Sequence, residues 1–136
     1  MKTIILYYSY TGHTKKIAEK KALETGADIE EISEVKKLSK LKAYFSGSFR
    51  AMKQKKAQIH PLKANLENYE KIIIMAPIWA GSPAPAFNNI IELLPAGKKV
   101  ELVMVSAGGE TNKTEKIKNL VTSRGCDVIS YSDIKA

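Results

Sequence analysis

Two short apolar runs constrain this chain more than anything else in it. Lys2–Tyr8 (KTIILYY) and Lys71–Ala76 (KIIIMA) are almost unbroken in Ile, Leu, Met and Tyr over the length of a single strand. A strand with one wet face alternates apolar and polar residues. A run without alternation belongs to a strand covered on both faces, as in a parallel sheet packed between helices. The intervals between the runs carry helical spacing: Ile17, Ala18, Ala22 and Leu23 form one apolar stripe closed by Gly26, and Phe87, Ile90, Ile91 and Leu94 another closed by Pro95-Ala96-Gly97. Ala27–Ile32, Lys99–Val105 and Cys126–Tyr131 are further expected strands, and Lys113–Arg124, with Ile117, Leu120 and Val121 inward, a further helix. Pro77 is expected to end the ladder of the strand before it. This order predicts an α/β chain, a doubly wound parallel sheet with helices on both faces.

The 136 residues leave room for one domain, 1–136. A chain that is 44% hydrophobic and 26% charged is not of disordered composition. No run approaches the roughly 20 apolar residues of a membrane-spanning helix, and Ile4–Tyr8 ends at Ser9 without a cleavage pattern, so the expected location is the cytoplasm. Cys126 is the only cysteine, which excludes an internal disulfide and a cysteine-based zinc site within one chain; no metal site is expected.

The net charge of +8 is local. Nine basic residues and no acidic one lie between Lys36 and Leu66 (Lys36, Lys37, Lys40, Lys42, Arg50, Lys53, Lys55, Lys56, Lys63), while the other 105 residues hold 13 basic and 14 acidic groups. Such a segment is either a solvated surface or a docking site for an anion. Only Tyr44, Phe45 and Phe49 within it offer stacking rings and no nucleic-acid signature accompanies them, which argues against nucleic acid and leaves acidic protein surfaces and phosphates.

In doubly wound sheets ligands bind beyond the carboxyl ends of the strands, so the loops after the first, third and fourth strands are the informative ones. Ser9-Tyr10-Thr11-Gly12-His13-Thr14 combines hydroxyls, a glycine and the free N–H groups of a helix start, the elements of a cradle for one phosphate. It lacks both the Gly-Lys-Ser/Thr ending of a triphosphate loop and the G-x-G-x-x-G fingerprint. A simple helix cap would need one hydroxyl; here there are several. His13 is not assigned acid–base work, and no catalytic residue is assigned at all. Ala76–Pro85 (APIWAGSPAP) holds the only tryptophan, Trp79, on a proline-bounded segment where a flat ligand would stack. Ser106-Ala107-Gly108-Gly109-Glu110-Thr111 offers small residues and amides to close over a ring from another side.

One phosphate on a short chain attached to a planar heterocycle describes flavin mononucleotide, and the sequence resembles the flavodoxin family over essentially its whole length. The most specific parts are SYTGHT and PIWAGSPAP. The resemblance implies a three-layer fold with five parallel strands in the order 2-1-3-4-5. It implies an FMN phosphate site at Ser9, Tyr10, Thr11, Gly12, His13 and Thr14, and ring-binding loops at Pro77, Ile78, Trp79, Ala80, Gly81 and Ser82 and at Ser106, Ala107, Gly108, Gly109 and Glu110. A carbonyl near Gly81 would then accept the proton at ring N5, favouring one-electron transfer. The leading expectation is an FMN-binding electron-transfer protein. The alternatives are an FMN-dependent NAD(P)H or quinone reductase and a flavin-free binding module of the same fold. A phosphoacceptor domain is set aside, because Tyr7-Tyr8-Ser9 and Met75-Ala76-Pro77 lack its carboxylates.

Two features depart from the family. Flavodoxins are commonly acidic, whereas a basic segment near the ring would ease formation of the fully reduced flavin and call for redox partners with acidic surfaces. Only Ser132–Ala136 follow the last expected strand, too few for the usual final helix. Either Leu38, Leu41, Phe45, Phe49 and Met52 or a second copy of the chain would cover that face.

Overall fold

The structure, a computed structural model, describes residues 2–35, 57–79, 81–107 and 113–135. The proposed cover from Leu38 to Met52, Ala80, and Gly108, Gly109 and Glu110 lie outside them. The described chain runs β1 (Thr3–Tyr7), α1 (His13–Thr25), β2 (Asp28–Glu31), a single 3-10 turn (Leu66–Asn68), β3 (Lys71–Trp79), β4 (Ser82–Pro83), α2 (Pro85–Leu93), β5 (Lys99–Ser106), α3 (Thr114–Thr122) and β6 (Asp127–Lys135). The five long strands pair in parallel in the order β2-β1-β3-β5-β6, the expected 2-1-3-4-5; β4 is an additional short strand antiparallel to β3.

Strand alternation divides the core in two. Ile4, Leu6 and Tyr8 of the first segment join Ile72, Ile74, Ala76, Val100, Leu102 and Met104 beneath α2 and α3, which contribute Phe87, Ile90, Ile91, Ile117 and Val121. Ile5, Tyr7, Ile73, Met75 and Val103 face the other way, against Ala18 of α1. Helices on both faces explain why β1 and β3 lack polar alternation. Burial of such side chains contributes about 1.5–3 kcal/mol each. α2 starts on Pro85, whose preset φ and missing N–H suit a first helical position. α1 ends where the Gly26 N–H bonds the Ala22 carbonyl at 2.8 Å, with φ 74.

Four expectations are corrected. Pro77 does not end its strand: β3 continues to Trp79 and pairs with β5 as far as Pro77 and Val105. The edge of Pro77 facing β1 lies beyond the last β1 pair, Tyr7 with Met75, so its missing N–H breaks no ladder; its carbonyl accepts the Ala84 N–H at 3.0 Å instead. Leu23 does not face the sheet but is 88% exposed. It sits five residues beyond buried Ala18, about 140° around the helix, and Lys21 takes the inward position. β6 covers Asp127–Lys135 rather than Cys126–Tyr131; its register shifts opposite Val100 and Glu101. That bulge places Val128 and Tyr131, three apart, against the same core, and so hides the period-two signal. β2 is shorter than expected, Asp28–Glu31, with Ile29 and Glu31 exposed at the sheet edge.

Lys21 faces inward because Glu101 lies beneath it. This carboxylate, 9% exposed on β5, receives Lys21 Nζ at 2.7 Å and Lys71 Nζ at 3.1 Å. Burial opposes its ionisation, but the hydrogen bonds from Lys21 and Lys71 outweigh that and hold its carboxyl below the usual range. A lowered folded pKa gives stabilisation that is present above the unfolded value, about 4.3, and lost as pH falls through the folded one. Glu101→Gln should therefore cost about 1–3 kcal/mol near neutrality and leave a smaller loss of stability on acidification than in the parent chain. Urea unfolding at about pH 7 and about pH 3 reads both.

The basic segment has a defined base. Val35 N–H donates to the Gln58 carbonyl at 2.9 Å and His60 N–H to the Ser33 carbonyl at 2.8 Å, closing an antiparallel bridge between Glu34 and Ile59. The Tyr8 hydroxyl donates to Glu34, and Glu30 accepts the N–H groups of Lys63 and Ala64 at 2.7 and 2.8 Å. Residues 35 and 57–60, on either side of the run from Lys36 to Lys56, thus stand beside the carboxyl ends of β1 and β2.

Candidate functional site

At those same carboxyl ends lies an open cleft of about 270 Å³, lined by Tyr10, Thr11, His13, Thr14, Pro77, Ile78, Trp79, Val105, Ser106 and Ala107. Three segments far apart in sequence meet there: the loop after β1 and the carboxyl ends of the adjacent strands β3 and β5.

The first wall is the start of α1. Gly12 is the N-cap at φ 102, a left-handed conformation that a side chain would strain, and a Cβ there would point into open space. Its N–H donates to Ser9 Oγ at 3.1 Å, which fixes the turn. Among the described residues no side chain caps the start of α1. The first amides of a helix, which hydroxyls commonly satisfy, belong here to residues His13 and Thr14, both of which line the cleft. Thr11 Oγ1 and His13 Nδ1 lie 3.3 Å apart at that rim, and Thr14 is buried beneath it. Partial positive charge from the helix end, exposed hydroxyls and a glycine approach suit a phosphate group.

The second wall is the end of β3. Trp79 is held edge-on by two tyrosines, with ring centroids 6.3 Å from Tyr8 at 75° and 5.8 Å from Tyr10 at 88°. Such pairs are worth about 0.5–1.5 kcal/mol each beyond area burial. They fix the plane of the indole, which therefore belongs to a strand end rather than to a free loop. Gly81, at φ 82, makes the turn into β4, where Ser82 pairs with Trp79. The Ser82 hydroxyl is fully buried and accepts from Lys113 Nζ at 3.0 Å. The third wall is Val105-Ser106-Ala107 at the end of β5.

Of the expected site residues, Tyr10, Thr11, His13, Thr14, Pro77, Ile78, Trp79, Ser106 and Ala107 line the cleft. Ser9 and Gly12 shape its turn, and Ser9 also borders a neighbouring hollow with Tyr8 and Glu31–Glu34. Gly81 forms the turn below it and Ser82 is turned into the protein. Ala80, Gly108 and Gly109 are outside the described residues. Sequence reasoning missed Tyr8, Val105 and Lys113. Tyr8 and Val105 look like ordinary ends of buried strands, and only the contact with Ser82 distinguishes Lys113 from other surface lysines. Tyr7, behind the site, is buried, which with Glu31 and Glu19 raises its phenol pKa and keeps it protonated near neutrality. Among the described residues no cluster of three or more His, Cys, Asp or Glu could hold a metal, and no helix is long and apolar enough to cross a membrane.

The order of the strands defines a flavodoxin-like α/β protein, with an open cleft at the carboxyl ends of its central strands. Residues 5–130 match the family described as NADPH-dependent FMN reductase, and the chain belongs to that family. Among solved structures, a flavoprotein from Lactobacillus acidophilus NCFM in complex with FMN is 27% identical, with a TM-score of 0.75 over 96% of this chain and 91% of that one. A Bacteroides eggerthii DSM 20697 protein superposes with a TM-score of 0.84 at 22% identity, covering 96% and 86%. Flavodoxin 2 from Bacillus cereus superposes with a TM-score of 0.61 at 17% identity, covering 99% and 84%. The last two bear on the fold alone. No curated protein matches the chain by sequence.

Proposed function

We propose that this chain is an FMN-binding oxidoreductase that takes its reducing equivalents from NADPH. The observation that carries the FMN reading is the uncapped start of α1 opening, together with an indole of fixed plane, into one cleft. The residues fit the cofactor from both ends. Amides at His13 and Thr14 and the Thr11 hydroxyl would hold the phosphate, while Trp79, Pro77 and the Ser106-Ala107 backbone would flank the ring. FMN, when bound, supplies hydride and single-electron chemistry. Trp79 and Pro77 would orient the ring, and the indole would exclude water from the face it covers.

NADPH as reductant is supported by membership of the reductase family and by the basic segment, whose run from Lys36 to Lys56 is flanked by residues 35 and 57–60 at the carboxyl end of β2. Nine cations between Lys36 and Lys63 suit a nucleotide phosphate. The open cleft also supports a second reading, an electron carrier that hands electrons from the exposed ring edge to a partner with an acidic surface.

Anaerobic mixing of the FMN-loaded protein with NADPH separates the two. In the reductase reading the visible flavin band bleaches on mixing, and NADPH acts at least about tenfold faster than NADH at equal concentration, because the extra phosphate adds a charge-assisted contact. If dithionite bleaches the band but NADPH does not, the carrier reading stands in its place. A purified protein that takes up no FMN at micromolar concentration removes both.

A further inference from the structure

Lys113 stands where helix electrostatics disfavour a cation. It is the N-cap residue of α3, its carbonyl accepting the Ile117 N–H at 2.9 Å, and the N-terminal end of a helix favours anions. Its side chain is committed to one buried partner: Nζ donates to the Ser82 hydroxyl at 3.0 Å, and Ser82 is fully buried. Among the described residues no carboxylate pairs with this ammonium.

Ser82 is opposite Trp79 in the short antiparallel ladder between β3 and β4. Side chains opposite one another in such a ladder share a face, with Cβ atoms about 4.5–5.5 Å apart. The ammonium is thus one hydrogen bond and one cross-strand step from the indole. It also ties the indole turn to a helix start, since Ser82 pairs with Trp79 and Lys113 is the N-cap of α3.

We propose that Lys113 is a positioning residue for FMN: it pins the indole turn to the start of α3 and places a positive charge beside the ring-binding end of the cleft, so that the site prefers reduced to oxidised flavin. The inference rests on the FMN reading above and adds to it how the site sets its redox preference. The two effects separate by experiment. Pinning acts through Ser82 on both redox states alike. Charge acts only on the difference between them, because the fully reduced flavin is the electron-rich, anionic form, and a partly buried charge is poorly screened by salt.

The test is FMN titration and two-electron midpoint measurement on the parent chain, Lys113→Met, Lys113→Gln, Lys113→Arg and Ser82→Ala, with folding checked by circular dichroism. Lys113→Met should weaken oxidised FMN about 10-fold and reduced FMN about 100-fold. That tenfold difference is a fall of about 30 mV in the midpoint of a two-electron couple. Lys113→Gln, which keeps a donor for Ser82 without the charge, should lower the midpoint similarly while largely retaining affinity for oxidised FMN. Ser82→Ala should weaken both states about equally and leave the midpoint in place, and Lys113→Arg should restore it. An unchanged midpoint in both Lys113→Met and Lys113→Gln overturns the proposal, as does a Ser82→Ala shift equal to theirs. A parent chain that takes up no FMN would instead remove the FMN reading, a result distinct from a parent that binds and variants that match it.

Discussion

Thr11→Asp should weaken FMN binding about 30- to 100-fold while leaving the affinity for riboflavin, which has no phosphate, within about twofold. Thr11 lies on the cleft rim one residue before the Gly12 N-cap, and among the described residues no side chain caps the amides beyond it. A carboxylate there would offer those amides an internal anion, as Asp does in helix capping. It would also stand within several ångströms of a bound phosphate. Two unit charges about 4 Å apart at an effective dielectric near 20 repel by about 4 kcal/mol, and solvent at this exposed rim would reduce that to about 2–3 kcal/mol. The apoprotein should be no less stable than its parent, because the new side chain serves α1 in place of the ligand. Fluorescence titration with the two flavins gives the ratio directly. Equal losses for FMN and riboflavin, or no loss for either, would put the phosphate somewhere other than the start of α1.

The complementary substitution is Trp79→Ala. Here FMN and riboflavin should weaken together, by about 10- to 100-fold, since an aromatic stack is worth about 1–3 kcal/mol per base. The folded protein should also lose about 2–4 kcal/mol, because the indole packs edge-on against Tyr8 and Tyr10 and against the larger core. Trp79→Phe separates the contributions: it keeps a ring for stacking and should recover most of the flavin affinity. Titration with both flavins, paired with urea unfolding of each apoprotein, measures the two terms independently. A Trp79→Ala protein that is destabilised but binds riboflavin normally would make the indole a piece of core only. The two substitutions form a crossed test, in which one discriminates between the flavins and the other does not.

The parts of the fold legible in the sequence were those whose burial imposes a simple period. β1 and β3 are covered on both faces, so nearly every residue must be apolar, and α2 shows its inward stripe at Phe87, Ile90 and Ile91. Failures occurred where a tertiary partner replaced the local rule. Lys21 outranks Leu23 as the inward residue of α1 because Glu101 waits below it. Pro77 stays within a strand because the edge it faces is beyond β1. β6 escaped full recognition because a bulge slips its alternation by one.

The site divides in the same way. The hydroxyl and glycine turn Ser9–Thr14 and the placement of Trp79 beside prolines were readable, because phosphate cradles and flat-ligand platforms need particular residue types at short spacing. The tie from Lys113 to Ser82 spans 31 positions. No local pattern encodes it.

By itself the sequence determined an alternating α/β chain, its two fully covered central strands, the loop chemistry that points to a phosphate and a ring, and the confinement of the excess positive charge to one segment. Only the tertiary structure decided that one loop and two strand ends share a cleft, that two tyrosines orient the indole, that the base of the basic segment stands beside that end of the sheet, and that a lysine ties the indole turn to the start of α3. The reason is range. Periodicity and turn chemistry act over a few residues and are written locally, whereas strand order and side-chain contacts across the sheet depend on how distant segments pack.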